Sequence, residues 1–140
     1  MSKIAVVYWS GTGNTEAMAL AVADGIKQNG AEVIVLTSAQ FNESMINDFD
    51  AIAFGCPSMG AEQLEDSEFE PMFTACEPKL KGKKIALFGS YGWGDGEWMR
   101  NWEETCISDG AVLSSDYVIC NEAPDSDAIE ACKALGASLC

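Results

Sequence analysis

Five apolar runs alternate with stretches of helical period along this chain, and that alternation is its strongest constraint on fold. The runs are Lys3 to Tyr8, Glu32 to Leu36, Ala51 to Gly55, Lys84 to Ser90 and a broken one over Ala111 to Cys120. After the first run, Met18, Ala21, Val22, Gly25 and Ile26 recur at i, i+3, i+4, i+7 and i+8, and Gly30 is placed to end that helix. Met45, Ile46 and Phe49 predict a short helix capped by Asn42. Three further stripes follow: Phe69, Met72, Phe73 and Cys76; Trp98, Met99, Trp102 and Cys106; and Ala128, Ile129, Cys132, Leu135 and Gly136, entered through Pro124 and Asp125. Pro71 is compatible with the first of these because it falls in the opening turn, where its missing N–H is not needed. Parallel strands joined by helical crossovers give an α/β fold covered on both faces. The predicted architecture is a doubly wound five-stranded parallel sheet of order 2-1-3-4-5 in a three-layer sandwich, its ligand crevice beyond the carboxyl ends of strands one and three, where the order reverses. The 140 residues read as a single domain, 1–140, long enough to bury roughly two-thirds of the unfolded surface.

Three loops must line that crevice. The first is Ser10-Gly11-Thr12-Gly13-Asn14-Thr15, between the first strand and the first helix. It brings hydroxyls and successive backbone N–H groups to the positive end of a helix dipole, which suits a phosphate. It has no Lys or Arg, so it is not a P-loop, and its glycines lack the spacing of a dinucleotide fingerprint. An uncharged cradle suits a terminal phosphate that is held rather than transferred. The loops after strands three and four, Gly55 to Glu62 and Gly89 to Gly96, each carry a large side chain, Met59 and Trp93, near glycines. A thioether and an indole on either side of a phosphate site can sandwich a flat apolar ring.

Composition narrows the chemistry. Without histidine the chain cannot build Ser/His or Cys/His hydrolytic arrangements. Cys56, Cys76, Cys106, Cys120, Cys132 and Cys140 contain no CxxC pair, and most sit in apolar patterns, so they read as core residues of a reducing compartment, with Cys140 exposed. A formal charge of −14 repels nucleic acid and anionic membranes and steers basic proteins inward. No run reaches the ~18 apolar residues of a membrane span. Met1-Ser2-Lys3 runs directly into the first strand, so a cytoplasmic protein without a signal peptide is expected. A CxxxxxR phosphatase loop is excluded because Glu62 stands where the arginine is needed, and a receiver domain because Tyr8-Trp9 replaces the acidic pair.

Ser-Gly-Thr-Gly-Asn-Thr, Met-Gly-Ala-Glu and Gly-Ser-Tyr-Gly-Trp-Gly-Asp-Gly, in this order on this strand and helix pattern, resemble the short-chain flavodoxins over the whole chain. The resemblance implies non-covalently bound FMN and a low-potential one-electron carrier with no substrate turnover of its own. Ser10, Thr12, Asn14 and Thr15, with the backbone of Gly11 and Gly13, would hold the phosphate. Met59 and Trp93 would cover the ring, Glu62 would accept from flavin N3, and Tyr91, Gly92, Trp93, Gly94 and Asp95 would meet the pyrimidine edge. Ser90 would lie near the ribityl chain or phosphate. Pro57 stands where some relatives have serine, which removes one possible phosphate hydroxyl; Ser58, Gly60 and Ala61 complete the candidate contacts. Basic-surfaced reductases and ferredoxin-linked oxidoreductases are the implied partners, and a monomer is expected. Two other readings stay open at this point: an FMN-dependent NAD(P)H:quinone reductase, and a flavodoxin-like activator of one dedicated enzyme.

Asp95, Glu97, Glu62, Glu65 and Asp66 cluster in or beside the two ring-binding loops. A carboxylate about 10 Å from a negative reduced flavin costs roughly 0.4–1.7 kcal/mol for effective dielectrics of about 80 to 20. Several such terms would lower the second potential. Asp95 and Glu62 are the stronger candidates, whereas Glu65 and Asp66 read as solvated surface groups. In flavodoxins the peptide corresponding to Gly60 turns over on reduction, which requires positive φ at Gly60 in one state and at residue 61 in the other. Ala61 opposes this by roughly 1–2 kcal/mol through its Cβ. Ala61→Gly and Ala61→Asn are therefore expected to raise the first flavin potential, and a redox titration in which neither variant moves upward defeats the turn argument.

Overall fold

The computed structural model describes residues 2–140. The first strand, β1 (Lys3–Tyr8), feeds helix α1 (Asn14–Gln28), which returns to β2 (Glu32–Thr37). Two short 3-10 helices, Ser38–Gln40 and Glu43–Asp48, lead to β3 (Ala51–Gly55). Then come α2 (Phe69–Cys76), a 3-10 turn over Glu77–Lys79, β4 (Lys84–Tyr91) and α3 (Glu97–Ser108). Two short strands, β5 (Val112–Leu113) and β6 (Val118–Asn121), precede the last helix, α4 (Ser126–Ala137). All pairings are parallel, and the sheet runs β2-β1-β3-β4-β5, with β6 also on β4. The predicted order is thus observed.

The broken fifth strand is two pieces on the same edge. β5 pairs with Lys84 and Ile85, and β6 pairs with Phe88 to Tyr91. Ser114, Ser115 and Asp116 interrupt it, residues whose side chains compete for backbone hydrogen bonds. The short helix around Met45 and Ile46 is 3-10 rather than α; its six residues are too few to hold an α-helix. Asn42 caps it as predicted, its side chain accepting from the Ser44 N–H at 2.9 Å.

Strand alternation sorts the core into two layers. Ala5, Val7, Ile52, Phe54, Ile85 and Leu87 face α2 and α3, where Phe69, Phe73 and Trp102 meet edge-to-face or stacked. Ile4, Val6, Ala51, Ala53, Ala86 and Phe88 face α1 and α4. The small residues on this second face allow the two helices to sit close to the sheet and to each other. A Cβ built on Gly25 of α1 would collide with the Lys133 carbonyl oxygen of α4, with its carbon at 2.7 Å and Cα at 2.8 Å. Reciprocally, a Cβ on Gly136 of α4 would strike the Val22 carbonyl oxygen of α1. Backbone therefore touches backbone at two points along this helix pair. Among the described residues no helix is long and apolar enough to cross a membrane.

Candidate functional site

At the carboxyl edge of the sheet, between β1 and β3, lies a cleft of about 210 Å³. It opens where the strand order reverses, the position expected of a ligand crevice. Its first wall is the loop between β1 and α1. The Ser10 hydroxyl oxygen accepts from the backbone N–H of Gly13 (3.0 Å) and Glu16 (3.3 Å), which curls the loop around the start of α1. Gly13 takes φ 95, a left-handed value that glycine reaches without strain, and it turns the chain into the helix. Thr12 is exposed, Asn14 is half-buried, and Thr15 is buried with its hydroxyl oxygen accepting from Ser90 N–H at 3.4 Å. Hydroxyls and helix-start amides without cationic side chains make a donor set matched to a phosphate held in place.

The second wall is the loop after β3. Met59 and Gln63 exchange backbone hydrogen bonds at 2.8 and 2.9 Å, closing a hairpin with Gly60, Ala61 and Glu62 at its tip. Positive φ falls at Gly60 (54) and at Glu62 (52), and not at Ala61. Glu62 reaches across to the loop after β4, where its Oε1 accepts from the Asp95 N–H at 3.1 Å. A Cβ on Gly94 would overlap this carboxylate, meeting its Cδ at 2.5 Å, so glycine there makes room for the bridge. Ser58 N–H donates to the Ser90 carbonyl at 3.0 Å and ties the hairpin base to β4.

The third loop, after β4, carries Trp93 at its apex with 62% of its surface exposed. That is a large apolar face in water, and Met59 on the hairpin is 36% exposed as well. Asp95 is not an uncompensated charge: Arg100 Nη2 holds its Oδ1 at 3.0 Å, and Nη1 donates to its carbonyl. The pairing reduces the part assigned to Asp95 in setting a potential.

The cleft walls bring together Ser10, Gly11, Thr12, Asn14, Thr15, Ser58, Met59, Ser90, Tyr91 and Gly92. Gly13 lines a neighbouring crevice with Tyr8, Glu16 and Ser38 instead. Gly60, Ala61, Glu62, Trp93, Gly94 and Asp95 lie outside the cleft walls; the Glu62 bridge joins their two loops. Trp9, Pro57 and Glu122 also line the cleft. Trp9 follows β1 directly, and Glu122 follows β6, so both sit on the carboxyl edge where the doubly wound topology gathers ligand contacts.

Glu65 departs from its expected role as a solvated surface group. It is 5% exposed, and its carboxylate accepts from Ser67 N–H and Oγ–H, Glu68 N–H and Phe69 N–H, closing the open start of α2. Burial pushes its pKa up, but these donors outweigh burial and hold it at about 2. Cys56, which directly follows β3, is buried, and burial raises its thiol well above the ordinary value.

Comparison with known proteins places this geometry among relatives. A family model described as Flavodoxin matches residues 6–136. The chain is 48% identical over 136 residues to a flavodoxin of Megasphaera elsdenii, covering 95% of each. It is 47% identical over 120 residues to a flavodoxin of Clostridium beijerinckii, covering 86% of this chain and 87% of that one. The solution structure of the two-electron reduced Megasphaera elsdenii protein superposes with a TM-score of 0.89 over 97% of both chains. An archaeal flavodoxin, 28% identical, superposes with a TM-score of 0.85, covering 98% of this chain and 95% of that one.

Proposed function

The chain belongs to the flavodoxin family, so it binds FMN and carries electrons rather than converting a substrate, and we propose that Ser10 to Thr15 hold the FMN phosphate while Met59 and Trp93 cover its ring. In this reading residues 1–140 act as one FMN-binding domain. The observation that carries the assignment is the cleft itself, lined by hydroxyls and helix-start amides and by Met59, with the exposed Trp93 on the loop that Glu62 bridges to the Met59 hairpin.

When bound, the flavin supplies the one-electron chemistry. The protein's part is to bind, orient and bias. Thr12, Asn14 and the amides at the start of α1 receive the phosphate, and the Ser10 and Thr15 oxygens fix the loop's shape. The Glu62 carboxylate, already steering the hairpin toward the loop after β4, has a second oxygen for an N–H of the ring edge. No Lys or Arg lines the cleft, and the single arginine, Arg100, is engaged by Asp95. Added negative charge in the site is therefore poorly compensated, which favours a low-potential carrier. The same charge excess favours basic-surfaced redox proteins as partners and a monomer in solution.

Trp93→Ala tests the assignment. Stacking of a flat ring on an aromatic side chain contributes about 1–3 kcal/mol, so FMN affinity measured by fluorescence titration is expected to fall about 5- to 150-fold. Unchanged affinity would remove Trp93 from the site. A purified chain that is colourless and takes up no added FMN would overturn the assignment as a whole.

A further inference from the structure

The two helix layers close differently. On one face α1 and α4 touch backbone to backbone, whereas on the other α2 and α3 meet through the rings of Phe69, Phe73 and Trp102 and leave a groove of about 260 Å³. Each helix gives the groove one stripe at i, i+3, i+4 and i+7. The stripe of α2 is Glu70, Phe73, Thr74 and its C-cap Glu77, and that of α3 is Trp98, Asn101, Trp102 and Thr105. Glu62 and Gln63, from the hairpin that carries Met59, line it too.

The lining combines buried rings with exposed polar groups. Phe73, Trp98 and Trp102 are buried, while Glu70, Thr74, Asn101 and Thr105 are exposed. No Lys or Arg lines the groove, and Glu62, Glu70 and Glu77 have no cationic partner among the described residues, where the ion pairs are Arg100 with Asp95 and Lys133 with Glu130. Among the same residues no set of acids is gathered closely enough to hold a metal ion. The Trp98 indole N–H donates to the Cys56 carbonyl at 3.1 Å, but that of Trp102, on a residue only 3% exposed, has no acceptor among the described residues. A buried donor without an acceptor is costly. Rings, uncompensated carboxylates and an unmet N–H together match a cation carried on a peptide, whose backbone brings carbonyl acceptors. A guanidinium suits such a lining better than an ammonium, because its plane stacks on aromatic rings and its fork matches a carboxylate.

We propose that the groove between α2 and α3 is a docking site for an arginine borne on an apolar segment of a redox partner. This rests on the reading above that basic-surfaced redox proteins are the partners, and it adds where one of them engages. Glu62 ties the groove to the flavin loops, because the same carboxylate accepts from the Asp95 N–H. A segment seated there lies alongside the hairpin that carries Met59 and away from the closed layer of α1 and α4.

The test is an NMR titration of FMN-loaded, isotope-labelled protein at about pH 8 with acetyl-leucyl-arginyl-leucine amide, and with the same peptide carrying citrulline, a neutral isostere of arginine. The four tryptophan indole N–H resonances report where the peptide sits. The arginine peptide is expected to move the Trp102 resonance saturably, and the citrulline peptide to bind about tenfold more weakly, as loss of a charge-assisted pair predicts. Glu70→Gln is expected to weaken the arginine peptide severalfold, and added salt to do the same in wild type, while FMN affinity and thermal unfolding of the variant stay at the wild-type values. Shifts confined to Trp9 and Trp93 would place the peptide at the flavin cleft and overturn the groove. Equal binding of the two peptides, or a Glu70→Gln protein that binds like wild type, overturns the charge complementarity on which the docking site stands. If FMN binds normally and no indole resonance moves, the docking site is refuted and the FMN site stands. A chain that takes up no FMN overturns the redox partner together with that site.

Discussion

Gly25→Ala is expected to destabilise the protein by about 3 kcal/mol or more, although alanine is the better helix former by about 1 kcal/mol. The new methyl would enter the Lys133 carbonyl, and the atoms it meets are backbone, which cannot rotate aside. Relief requires α1 and α4 to separate, and separation loosens Met18, Val22, Ile26, Cys132 and Leu135, all buried in the layer those helices share. Thermal unfolding should fall by about 10 °C for a domain of this size. Gly136→Ala attacks the same seam through Val22, so the double variant should lose less than the sum of the singles, because the helices are already apart. Gly30→Ala is the control. It carries φ +85 with no atom within 4 Å, so it should cost only about 1 kcal/mol. Equal losses at Gly25 and Gly30 would show that backbone conformation, and not the helix contact, sets the effect.

The second large effect is on pH. Folding holds the Glu65 carboxyl at about 2 against an ordinary 4.5, so its contribution is complete above about pH 4.5 and is lost as pH falls toward 2. At about 1.4 kcal/mol per unit this is ~3 kcal/mol. Glu77 acts in the opposite sense. It caps the end of α2, and burial, a hydrogen bond to Asp109 at the end of α3, and the nearby Glu70 raise it to about 7. The folded state thus keeps a proton that the unfolded state releases, and this contribution is complete below about pH 4.5 and lost as pH rises toward 7. Urea unfolding from pH 3 to 8 should therefore give greatest stability near pH 4.5. Glu65→Gln should flatten the acid limb and weaken the protein at every pH above it, and Glu77→Gln should flatten the limb between 4.5 and 7. A profile that rises steadily to pH 7 in wild type would contradict the Glu77 assignment.

The sheet order, the helix stripes and the turn between β1 and α1 were legible because each depends on local period or on residues adjacent in the chain. Met18 to Ile26 and Trp98 to Cys106 describe their buried faces directly, and Ser10 to Thr15 is a contiguous turn. What escaped depends on tertiary reach. Glu65 looks like any acid in an acidic loop until the fold brings three amides and a hydroxyl onto its carboxylate. Glu122 sits at a left-handed position where glycine or asparagine would have signalled a turn, and only its bonds to β4 explain a glutamate there. Arg100 lies on α3 five residues beyond Asp95, and their pairing follows from the way the loop enters that helix.

The cysteines acquire a meaning once the protein is seen as a conduit for electrons. Cys56, Cys76, Cys106 and Cys132 are fully enclosed, and burial is the leading cause that lifts each thiol, the last three to about 12. Thiolate is the form that attacks oxidants, and at neutral pH these four hold almost none of it. The sulfur of the core is thus chemically silent, and with Cys120 half-buried and its thiol also raised by burial, the exposed Cys140 is the side chain that peroxide or a maleimide dye should find first.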